Sequence, residues 1–481
     1  MYHKKRRVHF VGIGGIGMSG LAEVLFNMGH EVSGSDLQPG HQTARLMGLG
    51  VKVAFGHAAE NAEGAEVVVV SSAVSSDNPE VSAARRNGVP VIPRAEMLAE
   101  LMRLKSSVAV AGSHGKTSVC SLLSMVLTTG GLDPTLVVGG RIVNLGSNAR
   151  LGQGEFLVAE ADESDGSFLL LSPIINVVTN IDQEHMSYYR DLAHLEETFL
   201  TFMNRVPFYG ATVICLDDPR VQSLIPKIRK RYVTYGLSAA ADATAKDVAL
   251  ESWGHSFVLR YKGEDLGRVV VGLPGRHNVL NALAACAVGL ELGLEPAVVA
   301  KGVGSLKGVG RRFEKRGEAG GVAFLDDYGH HPTEIRATLA TLAECFPGRR
   351  KLVAFQPHRY SRTQDLFEEF ARSFNQADLL FLADVYGAGE PAIEGVDSQS
   401  LAEAIRARGH RGVEYVGPMM DLAERVAAAL APGDVVLTLG AGNVNQAGED
   451  VLLLWRARGK KGHGQAEKPS RPKRAAAKAK G

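Results

Sequence analysis

The segment Gly112-Ser113-His114-Gly115-Lys116-Thr117 combines glycines, an ammonium and a hydroxyl in the way that phosphate chemistry requires. An apolar run, Ser107–Ala111, leads into it, and helical spacing over Ser118–Leu127 follows. A strand, a glycine loop and a helix in that order turn backbone N–H groups and a helix N-terminus toward an anion. Lys116 then reaches outer phosphates, and the Thr117 hydroxyl can hold Mg²⁺. The predicted nucleotide loop is therefore Gly112, Ser113, His114, Gly115, Lys116, Thr117 and Ser118. The generic motif places a further glycine where Val110 stands, so this is a shortened form.

A second glycine cluster, Gly12-Ile13-Gly14-Gly15-Ile16-Gly17, follows an apolar strand at Val8–Val11 and opens a helix at Met18–Asn27. Asp36 lies 24 residues after Gly12, near the end of the next strand. That pattern reads as a dinucleotide fingerprint, yet its physics asks only for a diphosphate at a helix N-terminus. A nucleotide sugar fits as well as NAD. Two phosphate loops in one chain predict two phosphorylated ligands and a transfer reaction.

Acids crowd the end of a third strand in Glu160-Ala161-Asp162-Glu163-Ser164-Asp165. Such a group repels itself unless a cation neutralises it, and oxygen ligands beside a phosphate suit Mg²⁺. The neighbouring strand ends in Asn180-Ile181-Asp182-Gln183-Glu184-His185, so His185 is a candidate ligand beside Thr117 and Glu163. Asn278 and Asn281 share a helix face; their amides suit an adenine edge, although Asn278 also suits helix capping. Asp326-Asp327-Tyr328-Gly329-His330-His331 and Gln356-Pro357-His358-Arg359-Tyr360-Ser361-Arg362 each follow a strand. Two guanidiniums and a histidine at such an end suit a carboxylate ligand.

These groups sit where alternating strands and helices would place them. Strands at Val8–Val11, Glu31–Gly34, Val51–Ala54 and Glu66–Ser71 form a first segment. Ser107–Ala111, Glu155–Ala159, Ile174–Thr179 and Ala211–Leu216 form a second, and Gly321–Leu325, Lys351–Phe355, Leu379–Ala383 and Val435–Leu439 a third. Apolar strands separated by helices predict α/β domains with parallel sheets, whose ligands bind beyond the strands' C-terminal ends. No apolar run reaches the roughly 20 residues that cross a bilayer, and basic Met1–Arg7 precedes no signal-peptide core, which predicts a cytoplasmic protein. The cysteines, Cys120, Cys215, Cys286 and Cys345, form no CxxC pair and stand in apolar contexts, predicting buried thiols. Ten Lys/Arg and one Glu between Arg456 and Gly481 make that segment +9, so with +1 overall the remainder carries −8. A disordered basic tail on an acidic body argues against nucleic acid as the main partner.

In sum of motifs the chain resembles the Mur ligase superfamily. The resemblance rests on Gly12–Gly20, Gly112–Thr117, Glu160–Phe168, Asn180–Met186, Gly275–Asn281, Asp326–Glu334 and Gln356–Thr363, in that order. It implies three domains: a Rossmann-like domain over 1–105 for a UDP-sugar, a P-loop-type ATP domain over 106–312 and a Rossmann-like domain over 313–455 for an amino acid, with 456–481 as tail. It also implies an ATP- and Mg²⁺-dependent ligase of peptidoglycan synthesis that joins L-alanine to UDP-N-acetylmuramate. Gly12, Gly14, Gly15 and Gly17 would face the diphosphate, with Asp36, His57 and Ser72 near the nucleotide. Lys116 would touch ATP, Thr117 and Glu163 one Mg²⁺ and His185 a second. Asn278 and Asn281 would read adenine, Arg312 and Asp327 would complete the ATP site from the third domain, and His358, Arg359 and Arg362 would position L-alanine. Sibling ligases carry a carbamylated lysine after the metal histidine, but Met186–Phe208 has no lysine. An Asp is usual where Asn443 stands, so Asn443 takes no role.

Such an enzyme must make a carboxylate electrophilic. Phosphorylation turns its oxygen into a leaving group, and His330 or His358 could take the amine's proton. Rival readings are a ligase that recycles a ready-made peptide, an NAD-dependent dehydrogenase and a nucleic-acid-stimulated ATPase.

Overall fold

The computed structural model describes residues 4–463, apart from Ser72 and Leu145. One compact unit ends at Arg312, and another begins at Phe313. The first unit contains two sheets. Its N-terminal sheet comprises β1 (Arg7–Val11), β2 (Glu31–Asp36), β3 (Lys52–Phe55), β4 (Val67–Val70) and β5 (Val91–Pro93), all parallel, in the order β3-β2-β1-β4-β5. Strand order reverses between β1 and β4, so the crevice beyond their ends opens at the first glycine loop. Gly34 in β2 makes room for that loop: a Cβ there would lie 2.6 Å from Ile13 Cδ1.

The larger sheet contains β6 (Ser106–Ala111), β7 (Thr135–Ile142), β8 (Ser147–Arg150), β9 (Phe156–Glu160), β10 (Ile175–Val178), β11 (Ala211–Cys215), β12 (Tyr232–Gly236), β13 (Ala243–Leu250), β14 (His255–Tyr261) and β15 (Glu264–Val271). Their order is β15-β14-β13-β12-β11-β10-β6-β9-β7-β8. β6 is central and buried on both faces, which is why it reads as an unbroken apolar run. Against it lie the helices Lys116–Thr129, Arg276–Glu291 and Pro296–Gly304. They approach closely: a Cβ on Gly302 would stand 2.5 Å from Val126 Cα.

The expected parallel sheets are present, and the larger one carries antiparallel strands at its edges. β13, β14 and β15 form an antiparallel extension, and β8 pairs antiparallel with β7. The β14–β15 turn holds Lys262 and Gly263 at φ +48° and +91°, the twist a tight hairpin needs. β13 and β15 are largely exposed, so they lack the continuous apolar signal of β6.

In the second unit β16 (Glu314–Ala319), β17 (Val322–Asp327), β18 (Lys351–Phe355), β19 (Leu379–Ala383), β20 (Val413–Gly417) and β21 (Val435–Leu439) run in the order β16-β17-β21-β18-β19-β20. Only β16 is antiparallel among them. The closing helix spans Val444–His463. The predicted tail is therefore corrected over 456–463, which is helical; its remainder lies outside the described residues. Trp455 Nε1 donates to the Ala319 carbonyl and Arg458 to that of Ala427, contacts that carry the helix past the last apolar residues. Cys120, Cys215 and Cys286 are buried free thiols, whereas Cys345 is half-buried, contrary to expectation. Among the described residues no helix is long and apolar enough to cross a membrane.

Candidate functional site

The loop Gly112–Thr117 is built by steric demand. Gly112 has φ +131°, and a Cβ there would fall 2.0 Å from Thr179 Oγ1. Gly115 has φ +86° and precedes the helix Lys116–Thr129 as its cap; a Cβ there would lie 2.7 Å from Asn281 Oδ1. That helix starts two residues earlier than the sequence spacing suggests, placing Lys116, Thr117 and Ser118 in its first turn. The segment after β10 clamps the loop: His114 N donates to Asn180 Oδ1 (2.8 Å), Asp182 N to Ser113 Oγ (2.8 Å) and Thr179 Oγ1 to the His114 carbonyl (2.6 Å). These bracing residues lie inside a motif the sequence displayed, but only the fold shows that they hold the loop.

Lys116 Nζ donates to the Gly112 carbonyl at 2.5 Å, the Ser113 carbonyl at 3.3 Å and Glu163 Oε1 at 2.8 Å. Burial alone would depress the ammonium's pKa; the carboxylates of Glu163, Glu184 and Asp162 outweigh it and hold the pKa above the ordinary lysine value. Burial also raises the Glu163 carboxyl, to about 7, against the pull of Lys116. Its other oxygen, Oε2, is buried without a hydrogen-bond partner. Ligand atoms of Glu163, Glu184 and His185 lie within 4.8 Å of one another. An orphaned carboxylate oxygen in an oxygen-and-imidazole set fits a divalent cation. Glu184, which sequence reasoning passed over, is buried beside Glu163 and His185. Thr117 is buried at the same helix end.

Asn281 Nδ2 donates to Asn278 Oδ1 at 2.9 Å, and Asn278 Nδ2 to the Pro274 carbonyl at 2.7 Å. The helix cap is Gly275, so the capping alternative for Asn278 is corrected.

At the first glycine loop, Gly12 N and Ile13 N both donate to the Ser35 carbonyl at 2.9 Å. Gly14 N donates to Asp36 Oδ2 at 2.8 Å, so the Asp36 carboxylate holds the loop itself. Gly15 caps the helix Ile16–Asn27, with Gly17 in its first turn. His57 Nδ1 lies 3.1 Å from Ser35 Oγ and 3.3 Å from Glu80 Oε1. Glu80 is fully buried and also meets His9 (3.1 Å), Ser35 Oγ (2.6 Å) and Asn61 (2.7 Å). Burial would raise its pKa, but hydrogen bonds from His9, Ser35 and Asn61 prevail and hold it at about 2. Asn78-Pro79-Glu80 reads as a capped helix start with an exterior acid, and nothing in it says that the acid turns inward. Ser72 lies outside the described residues.

Arg312 is the last residue of the first compact unit, and its N–H donates to the Val309 carbonyl. In the second unit Asp327 is buried and accepts from Phe313 N (2.7 Å), Gly329 N (2.8 Å) and Thr338 Oγ1 (3.2 Å). His330 and His358 come together with ring centroids 5.9 Å apart. His330 Nδ1 lies 3.0 Å from the Tyr328 carbonyl, which accepts its N–H and orients the ring. His358 stacks on Tyr386, and its Nδ1 faces Arg362 Nη1 at 3.3 Å. Arg359, at φ +72°, turns toward Glu390 Oε1 (3.5 Å) instead.

Comparison with known proteins gives a consistent result. Residues 7–106 match the model of the Mur ligase family, catalytic domain; 110–289 match the Mur ligase middle domain; 311–442 match the Mur ligase, glutamate ligase domain. A UDP-N-acetylmuramate--L-alanine ligase of a Geobacter species is 56% identical over 457 residues, covering 95% of this chain and 99% of the relative. Its namesake from Desulfosudis oleivorans is 55% identical over 452 residues, covering 94% and 99%. Among solved structures, the UDP-N-acetylmuramate-alanine ligase of Thermotoga maritima superposes with a TM-score of 0.81 at 28% identity, covering 94% of this chain and 100% of that one.

Proposed function

The chain belongs to the Mur ligase family, and on that footing we propose that it joins L-alanine to the carboxylate of UDP-N-acetylmuramate with ATP, an early step of peptidoglycan synthesis. It is an amide-forming ligase, as its relatives are named. The observation that carries the site assignment is the meeting of Lys116, Glu163, Glu184 and His185 at the glycine loop Gly112–Thr117. In this reading Gly12, Gly14, Gly15 and Gly17, without side chains, let the UDP diphosphate approach the N-terminus of the helix Ile16–Asn27. Lys116 neutralises charge on the phosphoryl group as it moves to the carboxylate. Asn281, seated over Gly115, and Asn278 face the adenine. Thr117 and Glu163 would hold one Mg²⁺ and His185, with Glu184 beside it, a second; the metal would supply charge neutralisation at the phosphates.

Converting the carboxylate to an acyl phosphate gives the amine an electrophile with a good leaving group. Of the two histidines we assign the base role to His330, since the His358 Nδ1 accepts from Arg362 and that ring's lone pair is engaged. His358 and Arg362 are then left to position the L-alanine carboxylate, with Arg359 adjacent. We place the reaction in the cytoplasm, with the ATP and UDP-sugar it consumes.

The test is phosphate release with UDP-N-acetylmuramate and each common amino acid. Release that requires both the sugar nucleotide and L-alanine is the expected result. Release that ignores the sugar nucleotide, or that prefers a peptide to L-alanine, refutes the reading.

A further inference from the structure

Arg94 opens the helix Arg94–Met102 immediately after β5. Its guanidinium lies against the first turn of the helix behind the first glycine loop: a Cβ on Gly17 would stand 3.0 Å from Arg94 Nη1 and 3.1 Å from Cδ. On the other side Arg94 Nη2 donates to Asp162 Oδ2 at 2.8 Å. Asp162 directly precedes Glu163. One side chain thus spans the gap between the two loops that carry the chemistry.

Charge accounting shows what that position is for. Gly12–Gly20 contains no Lys or Arg. A diphosphate there would meet only backbone N–H groups and a helix end, together worth about half an elementary charge. A guanidinium in a rigid fork supplies a full charge and two parallel donors to phosphate oxygens. Arg94 also has donors to spare, because Asp162 takes Nη2 while Nη1 faces Gly17. The pair with Asp162 is partly exposed, at 27% and 42% for the two side chains, so it holds the fork without locking it away. A side chain at Gly17 would press on the guanidinium, which would have to shift to admit it.

We propose that Arg94 is a substrate-binding residue that clasps the diphosphate of the UDP-sugar through its Nη1 edge, while Asp162 holds Nη2 and aims the fork. This rests on the UDP-sugar reading of the first loop.

The experiment compares binding of UDP and UMP to the full chain by calorimetry. Wild-type protein should prefer UDP. Arg94→Gln should weaken UDP by about ten- to a hundredfold, the effect of a lost charge-assisted contact, and leave UMP nearly unchanged. The KM for ATP should stay put, and Asp162→Asn, which keeps the cation, should retain the preference for UDP. A glutamine variant that keeps the wild-type UDP-to-UMP ratio, or loses both ligands equally, overturns the proposal. Should that variant fail to fold, Arg94→Lys decides: its charge without the fork must narrow the ratio, and an unchanged ratio overturns the proposal. A wild-type protein that binds no UDP defeats the UDP-sugar reading itself, a distinct outcome.

Discussion

Replacing Lys116 by alanine should do two separable things. Its ammonium holds Glu163 Oε1 at 2.8 Å and two carbonyls of its own loop. Loss of the charge facing the moving phosphoryl group should lower turnover by about 10²- to 10³-fold, the range for one preorganised electrostatic contact. The same change strands the Glu163 carboxylate, whose side chain is 1% exposed against 18% for Lys116. Breaking a buried pair from one side costs about 3 kcal/mol at the lower end of its range, appropriate because the ammonium is not fully enclosed. Glu163→Gln in the Lys116→Ala background removes the stranded charge. The double variant should therefore regain stability and remain inactive. Phosphate release gives the first quantity and the urea midpoint of the ligand-free chain the second. Near-normal kcat for Lys116→Ala refutes the catalytic assignment, and a double variant no more stable than Lys116→Ala refutes the account of the pair.

Glu163→Gln alone should shift the Mg²⁺ titration of activity to higher concentration; an unmoved titration removes Glu163 from the metal site. Asn281→Ala should raise the KM for ATP by about tenfold, as for a lost hydrogen bond in a buried network, while the KM for UDP-N-acetylmuramate holds steady. Because the folded carboxyl of Glu80 is depressed to about 2, its contribution to stability is present above the usual carboxylate pKa and is lost as pH falls toward 2. Thermal melts of wild-type protein should thus fall more steeply below pH ~4.5 than those of Glu80→Gln, and parallel curves would show that Glu80 is not held ionised.

The sequence displayed the groups whose type alone announces a task. Gly-Lys-Thr after an apolar strand can be recognised because backbone, ammonium and hydroxyl must all stand at one helix end. Other residues acquire meaning only from tertiary contacts. Arg94 reads as an ordinary helix-opening arginine until Gly17 and Asp162 are seen on either side of it. Asp36 suggested a contact to the nucleotide, yet its carboxylate also receives Gly14 N, a bond that local pattern does not encode. The strands β13, β15 and β16 escaped notice because they are half-exposed and carry charges among their apolar positions.

Glu163 shows why the resting site is poised for its ligand. One oxygen is engaged by Lys116 and the other has no partner in a buried setting, a state that costs about 1–3 kcal/mol. A divalent cation would satisfy the second oxygen, and phosphate oxygens would compete for the ammonium that now holds the first. Each arrival eases the other: the cation replaces the charge that Lys116 supplied to Glu163, which frees Lys116 to turn to the phosphates. On the proposed assignment the carboxylate would link metal and nucleotide, so each should bind more tightly with the other present. Nucleotide affinity measured with and without Mg²⁺ should differ far less in Glu163→Gln than in wild-type protein. Equal Mg²⁺ dependence in the two would show that the linkage runs through some other group.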